Sequence, residues 1–328
     1  MQPAFRIIVD GKTDITAKIA DRLESLEVTD MAGTKSDRLT ITIDDRDELL
    51  ELPRKGAKLK VSTGYVGSSL VDRGTFTVDE VEVEGPVRKM VIRANSADMA
   101  GKIKAPKERS FHGKTFGEVV RTIAKDNNLT ASIPDSLAAR ELGHIDQTES
   151  DMQLLSRICA DNSATFKISD DKLVVADHAS GKSASGRELP TVIINSSDCE
   201  NWSAVMTERG EYASAKAFYQ DAGTATRTEV VVGEGDPCIT LKHSYKNEAD
   251  AYRAAKSRLH ALGRSSGTCQ IIGAVGDPNA FAECVATLNG FRKGVDGSGW
   301  IINSVIHSIS DKYVCNFELE KKKAGAEK

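Results

Sequence analysis

The sequence has no apolar run approaching the ~20 residues of a membrane-spanning helix. Its first residues, MQPAFRIIVDG, also lack the basic flank, the long apolar stretch and the small-residue cleavage site of a secretory signal. We therefore expect a protein that does not insert into a membrane and that folds in a cytoplasm.

Cysteine is scarce and widely spaced. The six positions, at least fifteen residues apart, are Cys159, Cys199, Cys238, Cys269, Cys284 and Cys315. This spacing leaves no C-x-x-C pair, and most of these residues lie in apolar strand or helix patterns typical of small buried hydrophobic side chains. We expect reduced thiols and no disulfide framework.

A strong excess of one charge is also missing. The chain has 44 basic and 48 acidic residues among 328, which gives a formal net charge of −4. A general nucleic-acid-binding protein usually carries a basic stripe, so this balance argues against that class. We expect no sequence-specific nucleic-acid binding, although local basic patches on the folded surface stay open at this point.

The patterns for nucleotide binding fail at the positions that matter. Gly-Lys-Thr occurs at residues 11–13 and 113–115, but a phosphate-binding loop needs another glycine five residues earlier. Those positions hold Arg6 and Glu108. Both triplets therefore predict turns or helix starts.

Metal and catalytic patterns are missing as well. The acidic residues 44–48 lack the alternating spacing and central glycine of an EF-hand loop, which favours a solvated strand end. No two histidines have the short spacing that lets imidazoles share a zinc ion, and His307 is interpreted as a structural residue. A catalytic triad can draw on distant positions, but no G-x-S-x-G nucleophile elbow is present. The sequence predicts a protein that is not an enzyme, with no catalytic, cofactor-binding or metal-binding residue.

What is present is a β-rich stretch. Residues 36–45 and 52–65 alternate apolar and polar side chains with the two-residue period of strands that bury one face. In a third segment, residues 74–85, the apolar phase slips at Asp79-Glu80. A slip of one residue turns side chains to the opposite face, which predicts a β-bulge or a bend there.

This pattern recurs near the C-terminus. Gly64-Tyr65 matches Gly290-Phe291, and the motif Phe76-x-Val78-x-x-Val81 matches Trp300-x-Ile302-x-x-Val305. A turn and a further alternating strand follow in both places. Chance agreement between two β-hairpins is the alternative. A true repeat predicts two copies of a β-barrel-like unit in one chain.

The predicted fold is mainly β with an α+β insertion. Residues 1–105 form a first β-barrel-like domain, residues 106–190 a small α+β middle domain, and residues 191–320 a second β-barrel-like domain related to the first by the repeat. Short connections between the early strands favour antiparallel pairing. Residues 321–328 are expected to be a disordered tail, and the Gly- and Ser-rich residues 178–187 a linker or exposed loop.

Helix signals lie mainly in the middle domain. Thr115 with Glu118, and Ser150 with Gln153, have the spacing of capping boxes, in which each side chain binds a free N–H at the helix start. The first helix is expected to stop at residues 127–128.

A further helix is predicted near residues 247–262. Asn247 suits its N-cap and Gly263 a left-handed stop. The expected buried face is Tyr252, Ala255, Leu259 and Leu262. Its later half is basic, which suits the helix dipole or, alternatively, an acidic partner.

Residues 279–288 fit a helix by spacing and a strand by the repeat. The repeat places them opposite residues 57–62, which have the pattern of a strand. We follow the repeat and predict a strand.

The motifs S-D-R-L-T-I-T-I-D-D, L-P-x-x-G, G-Y, G-T-F-T-V-D-E-V and E-S-D-x-x-L-L occur here in this order. In order and spacing, the chain resembles the phage late control gene D protein family over nearly its whole length. These are baseplate hub proteins of contractile phage tails, related to the N-terminal part of type VI secretion spike proteins.

The resemblance implies a structural protein of the virion tail baseplate that is assembled in the bacterial host cytoplasm. A homotrimer with two similar barrels per chain would form a pseudo-six-fold ring, which adapts the hexameric tail tube to the trimeric spike. The implied partners are therefore the trimeric tail spike protein and the tail tube protein, with tape-measure and baseplate wedge proteins as further candidates.

Two alternatives remain at this point. A hub with cell-wall hydrolase activity would need paired carboxylates or a metal site, usually on an added domain, and the predicted domains leave none over. A truncated type VI secretion spike-like protein is the other alternative, and the sequence shows no repeats of a β-helical needle.

Overall fold

In the computed structural model, the described residues are 1–33, 36–96, 102–169, 171–177, 188–206, 212–220, 226–264 and 267–321. The N-terminal part contains β1 (Pro3–Val9), β2 (Thr13–Asp14), α1 (Thr16–Ile19), β3 (Leu23–Met31), β4 (Arg38–Asp44), β5 (Lys58–Tyr65), β6 (Val71–Glu84) and β7 (Lys89–Asn95). The middle contains β8 (Arg109–Phe111), α2 (Phe116–Asp126), β9 (Thr130–Ser132), α3 (Asp135–Ala138), β10 (Ile145–Gln147), α4 (Asp151–Asp161), β11 (Ala164–Ser169) and β12 (Lys172–Asp177). The C-terminal part contains β13 (Val192–Asn195), β14 (Asn201–Met206), β15 (Ser214–Gln220), β16 (Arg227–Gly233), β17 (Cys238–Tyr245), α5 (Glu248–Arg264), β18 (Gly267–Val275), β19 (Val285–Asn289), β20 (Gly297–Ile309) and β21 (Tyr313–Lys321).

One large sheet joins strands from both ends of the chain. Its order is β14-β18-β21-β20-β3-β4-β7-β6-β5-β1-β2, with β19 beside β20 and β13 beside β19. Hydrogen bonding therefore continues from the N-terminal strands into the C-terminal strands through the antiparallel pair β3 and β20.

Two sets of six strands within this sheet follow the same order. The N-terminal set is β3-β4-β7-β6-β5-β1, and the C-terminal set is β14-β18-β21-β20-β19-β13. We number the six strands of each set by their order along the chain, leaving out β2. Both sets then have the same spatial order, 2-3-6-5-4-1. They differ at one end, because β1 is antiparallel to β5 whereas β13 is parallel to β19.

The same irregularity occurs in both sets. The pairing of β6 with β7 shifts register between Val78 and Glu80, which confirms the predicted bulge. The pairing of β20 with β21 shifts between Ile302 and Ser304, the positions that the repeat aligns with Val78 and Glu80. A bulge re-aims the side chains beyond it, so both strands change the face that they present to the core.

The match between Gly64 and Gly290 is displaced by one residue. Leu59 lies opposite Phe76, and Ala286 lies opposite Trp300. This pairing aligns Gly64 with Phe291 instead of Gly290. The sequence match missed this because glycine-aromatic pairs align by identity, whereas the sheet aligns residues by their cross-strand partners.

A single apolar core lies beneath both sets of strands. It contains the largest fully buried side chains of each, including Phe76 and Trp300 together with Ile7, Leu26 and Leu39. Full burial of such a side chain is worth ~1.5–3 kcal/mol. The N-terminal and C-terminal sets therefore stabilise each other.

The middle region has its own core, built on helices α2 and α4 and strands β11 and β12. Both predicted capping boxes are confirmed: Thr115 and Ser150 accept the backbone N–H groups of Glu118 and Gln153. Helix α3 begins directly after Pro134 and packs closely on α2.

Residues 214–264 do not join the large sheet. Strands β16-β15-β17 form a separate three-stranded sheet, and α5 packs on it over a small core. The strands of the predicted second β domain are thus divided between two separate sheets. Its share of the large sheet comes from β13 and β14 and from the strands after residue 266.

Helix α5 differs from its prediction in two respects. Asn247 caps it as expected, since its side chain accepts the N–H of Asp250 at 2.8 Å. The helix continues through Gly263 to Arg264, because glycine can also adopt the right-handed conformation. Tyr252 is 46% exposed. The face toward the sheet contains Ala251, Ala255 and Leu259, of which the last two were predicted. Small side chains let the helix approach the sheet closely.

The predicted strand over residues 279–288 is only partly correct. Strand β19 covers Val285–Asn289, and the residues before it form turns. Glu283 has a φ of 69°, a left-handed conformation that a strand does not accommodate.

Two sequence predictions concern residues outside the described ranges. These are the loop at residues 178–187 and residues 322–328 of the predicted tail. Lys321, which was placed in that tail, is the last residue of β21.

Candidate assembly interface

The junction between β3 and β20 is the place where the two sets of strands meet. Residues 304–309 of β20 pair antiparallel with residues 31–26 of β3. Val305 lies opposite Asp30, and His307 lies opposite Val28. All four side chains are buried, so this junction is part of the core.

A buried polar network crosses the same junction. Arg73 of β6 donates to the Thr63 hydroxyl at 2.8 Å and, across the junction, to the carbonyl oxygens of Pro278 at 2.6 Å and Ala280 at 3.3 Å. It also donates to the Tyr313 hydroxyl at 3.1 Å. Arg73 is only 8% exposed, and hydrogen bonds offset the cost of burying its charge.

His307 occupies the centre of this network. Its Nε2 lies 3.1 Å from the Ala280 carbonyl oxygen, which can only accept, so Nε2 carries the proton. Its Nδ1 therefore accepts from the Tyr313 hydroxyl at 2.8 Å. Burial, together with the charge of Arg73, lowers the pKa of His307 to about 3, and burial raises the pKa of Tyr313 to about 12. Both groups are neutral near pH 7 and serve the fold.

A second charged cluster ties the middle region to β3. Lys167 Nζ of β11 lies 2.6 Å from Asp30 Oδ1 and 2.8 Å from Asp37 Oδ2. Burial raises the pKa of Asp37 to about 6 despite the charge of Lys167. For Asp30, the charge and hydrogen bond of Lys167 outweigh burial and lower its pKa.

Of the acidic residues after β4, Asp47 and Glu48 are exposed as predicted, whereas Asp45 is buried. Asp47 forms a two-pronged pair with Arg22, at 2.5 and 2.6 Å. Asp45 is 4% exposed, because its N–H donates to the Arg88 carbonyl and draws the chain inward. Within the described residues, no group of histidine, cysteine, aspartate and glutamate side chains is arranged to hold a metal ion.

Several strand edges of the large sheet have no strand beside them within the described residues, among them the outer edges of β2 and β13. Two others belong to the strands that take the places of β3 and β20 in the shared strand order. One is the outer edge of β14, the last strand of the sheet. The other belongs to residues 79–84 of β6, which pair with β7 on one side, whereas β5 covers β6 only as far as Thr77. Val83, Val205 and Met206 are exposed apolar side chains on these two strands.

Comparison with known proteins assigns the chain to a family. Residues 36–313 match the model of the family described as phage tail baseplate hub (GPD). The chain is also 32% identical to the probable baseplate hub protein of Escherichia phage 186, over 100% of this chain and 95% of that protein. The chain belongs to the phage tail baseplate hub family. The sequence resemblance is therefore confirmed.

Solved structures share the fold of this baseplate hub protein. The tail protein from Neisseria meningitidis MC58 has a TM-score of 0.70 at 15% identity and covers 98% of this chain and 97% of its own. The E. coli c3393 protein has a TM-score of 0.55 at 12% identity, with 99% and 78% covered. It is described as a type VI secretion component with structural similarity to T4 bacteriophage tail proteins gp27 and gp5.

The histidines of the hub protein are arranged in a way that the sequence did not predict. His112 and His144 stack with ring centroids 3.9 Å apart, and His144 pairs with Asp146 at 2.9 Å. They are distant in sequence and were therefore missed by a search for short spacings. His307 is buried, and its contacts agree with the structural role predicted for it.

The cysteines of the hub protein are all free thiols, four of them buried. The described residues contain no helix that is both long and apolar enough to cross the membrane. Arg73, Lys167 and Asp30 form the buried polar contacts described above, and the sequence patterns predicted none of them. Their partners come from other strands, so local spacing carries no signal for them.

Proposed function

We propose that three copies of this chain form a ring with pseudo-six-fold symmetry that joins a hexameric tail tube to a trimeric spike. The observation that carries the proposal is the shared strand order of the two six-strand sets. In this proposal each set is one β-barrel-like unit, and the two are related by the internal repeat. Three chains then contribute six similar units.

The proposed arrangement would present six similar surfaces on one side and three on the other. A head-to-tail interface joins two different surfaces of similar units and generates a closed ring when its rotation closes. Six similar units offer six similar surfaces to a hexameric tube. The middle region and the layer of residues 214–264 occur once per chain, so they offer three-fold surfaces to a spike. A ring of three chains can therefore bind a hexameric tube on one side and a trimeric spike on the other.

The proposed location is the baseplate of a contractile phage or phage-like tail, after assembly in the host cytoplasm. The proposed partners are the trimeric tail spike protein and the tail tube protein, with tape-measure and baseplate wedge proteins as further candidates. The similarity of the fold to the E. coli c3393 protein, which is described as resembling tail proteins, supports the proposal.

The test is to measure the mass of the purified chain, alone and with its spike protein, by light scattering. Electron microscopy of the complex with tube protein then shows the symmetry. We expect a trimer that carries six tube-facing lobes. A chain that remains monomeric even with its spike protein would overturn the proposal.

A further inference from the structure

Each strand of the junction inside the chain has a counterpart with an open edge. In the shared strand order, β6 corresponds to β20 and β14 corresponds to β3. Strands β20 and β3 pair within one chain. Within the described residues, β14 and the late part of β6 have no such partner. The internal junction is therefore a template for what these edges can bind.

The first edge presents an uncovered apolar face. The common bulge aligns Val81 with Val305 and Val83 with His307. Val305 and His307 are buried because β3 lies beside them, whereas Val83 is 55% exposed. Glu80 and Glu82 pair with Arg93 on the other face, at 2.6 and 2.7 Å. Since side chains alternate along a strand, the two valines point toward the core side.

The second edge presents the same kind of face. Pairing with the neighbouring strands aligns Trp202 with Leu26 and Ala204 with Val28. Leu26 and Val28 are buried, while Trp202 and Ala204 pack on the core with only partial burial. Met206, on the same face, is exposed.

We propose that β14 of one copy pairs antiparallel with residues 81–84 of β6 in the next copy. Transfer of the internal register places Val83 opposite Ala204 of the neighbouring copy, and Val81 opposite its Met206. This inference rests on the proposed ring of three copies and specifies its interface. The occupant of each edge is thus a second copy of this chain.

The resulting ring contains the same kind of strand pairing six times. Inside each chain, β3 of the first set pairs with β20 of the second set. Between chains, β14 of one copy pairs in the same way with β6 of the next copy. An open edge is an aggregation hazard, and charges beside it suppress random pairing. Glu80, Glu82 and Glu84 place such charges beside the β6 edge while the apolar face stays free for the matching strand.

The register is tested by cross-linking two introduced cysteines in the full-length chain. In the V83C/A204C variant, the two thiols face each other across the interface, within reach of a short bis-thiol reagent. We expect covalent trimers on denaturing gels. The matched control is V83C/V205C, because Val205 points to the opposite face. Each single variant and the wild type report any background from the native thiols.

A charge variant tests the same edge without cross-linking. Val83→Glu adds a carboxylate that is solvated in the single chain and buried in the proposed interface, so we expect loss of the trimer with the chain still folded. Val87→Glu is the control, since Val87 is exposed in the turn beyond the paired residues.

The outcomes separate this inference from the proposed ring. A trimer in which neither cysteine pair cross-links, or both do so equally, overturns the β14–β6 interface and leaves the ring standing. A cross-link from the thiol introduced at position 83 to the spike or tube protein, instead of to a second copy, also overturns it. The absence of any trimer, with or without spike protein, overturns the ring itself and this interface with it.

Discussion

The guanidinium of Arg73 donates a hydrogen bond of 3.1 Å to the hydroxyl of Tyr313. Arg73 belongs to the N-terminal set of strands and Tyr313 to the C-terminal set. The two residues are 240 positions apart in the sequence. Both side chains are buried. This contact and its neighbours fix how the two sets are joined, and several measurable properties depend on them.

Replacing Arg73 with alanine is expected to destabilise the large sheet by ~3 kcal/mol, because buried acceptors lose their donor and a space opens in the core. The measurement is urea unfolding followed by tryptophan fluorescence, since both tryptophans lie in strands of that sheet. Arg93→Ala is the matched control: Arg93 pairs with Glu80 and Glu82 at the surface, and its loss should cost under ~1 kcal/mol. Equal losses in the two variants would contradict a special role for Arg73.

Acid is expected to destabilise the protein through His307. Burial lowers the pKa of His307 in the folded chain to about 3, from an ordinary value of 6.5. Between these values the unfolded chain binds a proton that the folded chain does not, so stability falls by ~1.4 kcal/mol for each pH unit of acidification.

His307→Gln removes this proton and should flatten the decline between pH 6.5 and pH 3. Asp37 acts in the opposite direction between pH 6 and pH 3.8, because its folded pKa is raised to about 6. That contribution is present in both proteins, so the difference between their slopes isolates His307. Unfolding midpoints across this pH range provide the measurement, and parallel profiles would refute the assignment.

Lys167→Met is expected to cost ~3–5 kcal/mol at about pH 8, because Asp30 and Asp37 would lose the cation that they share. Without the cation, the pKa values of these carboxyls rise in the folded chain. The folded chain then binds protons more readily than the unfolded chain, so the loss should be smaller at about pH 5. Differential unfolding at the two pH values measures this.

Lys58→Met is the control for this substitution. Lys58 also links the N-terminal strands to the middle region, through Asp171 at 3.4 Å, but both side chains are more than half exposed. An exposed pair contributes ~1 kcal/mol or less and little pH dependence. A Lys167 variant that behaves like this control would show that burial of the cluster has no energetic consequence.

Gly276→Ala is expected to cost ~1–3 kcal/mol, because the new Cβ would lie 2.5 Å from Cγ of the Tyr313 ring. The ring cannot simply move, since its hydroxyl is held by Arg73 and His307. Gly143→Ala is the control: there the new Cβ meets the flexible Lys246 side chain at 3.4 Å. Thermal unfolding compares them, and a neutral Gly276 variant would mean that the ring has room to shift.

Local features were predicted correctly from the sequence. The capping boxes at Thr115 and Ser150 depend on residues three positions apart, and the bulge at Asp79-Glu80 is visible as a change of apolar phase. The helix stop at Gly263 was wrong, because glycine is compatible with more than one backbone conformation. Tyr252 was wrongly predicted to be buried, because spacing located the helical face of Ala255 and Leu259 but not the margin of that face.

The sequence by itself determined that residues 36–85 are mainly strands, that one of these strands carries the bulge at Asp79-Glu80, and to which family the chain is similar. Each of these depends on the period, phase or order of nearby residues. Only the tertiary structure decided that β20 lies beside β3, that residues 214–264 leave the large sheet, and that Arg73 reaches Tyr313. Strand pairing and burial of polar groups depend on partners that are far away in the sequence, and alternation along one strand contains no information about which edge lies beside it.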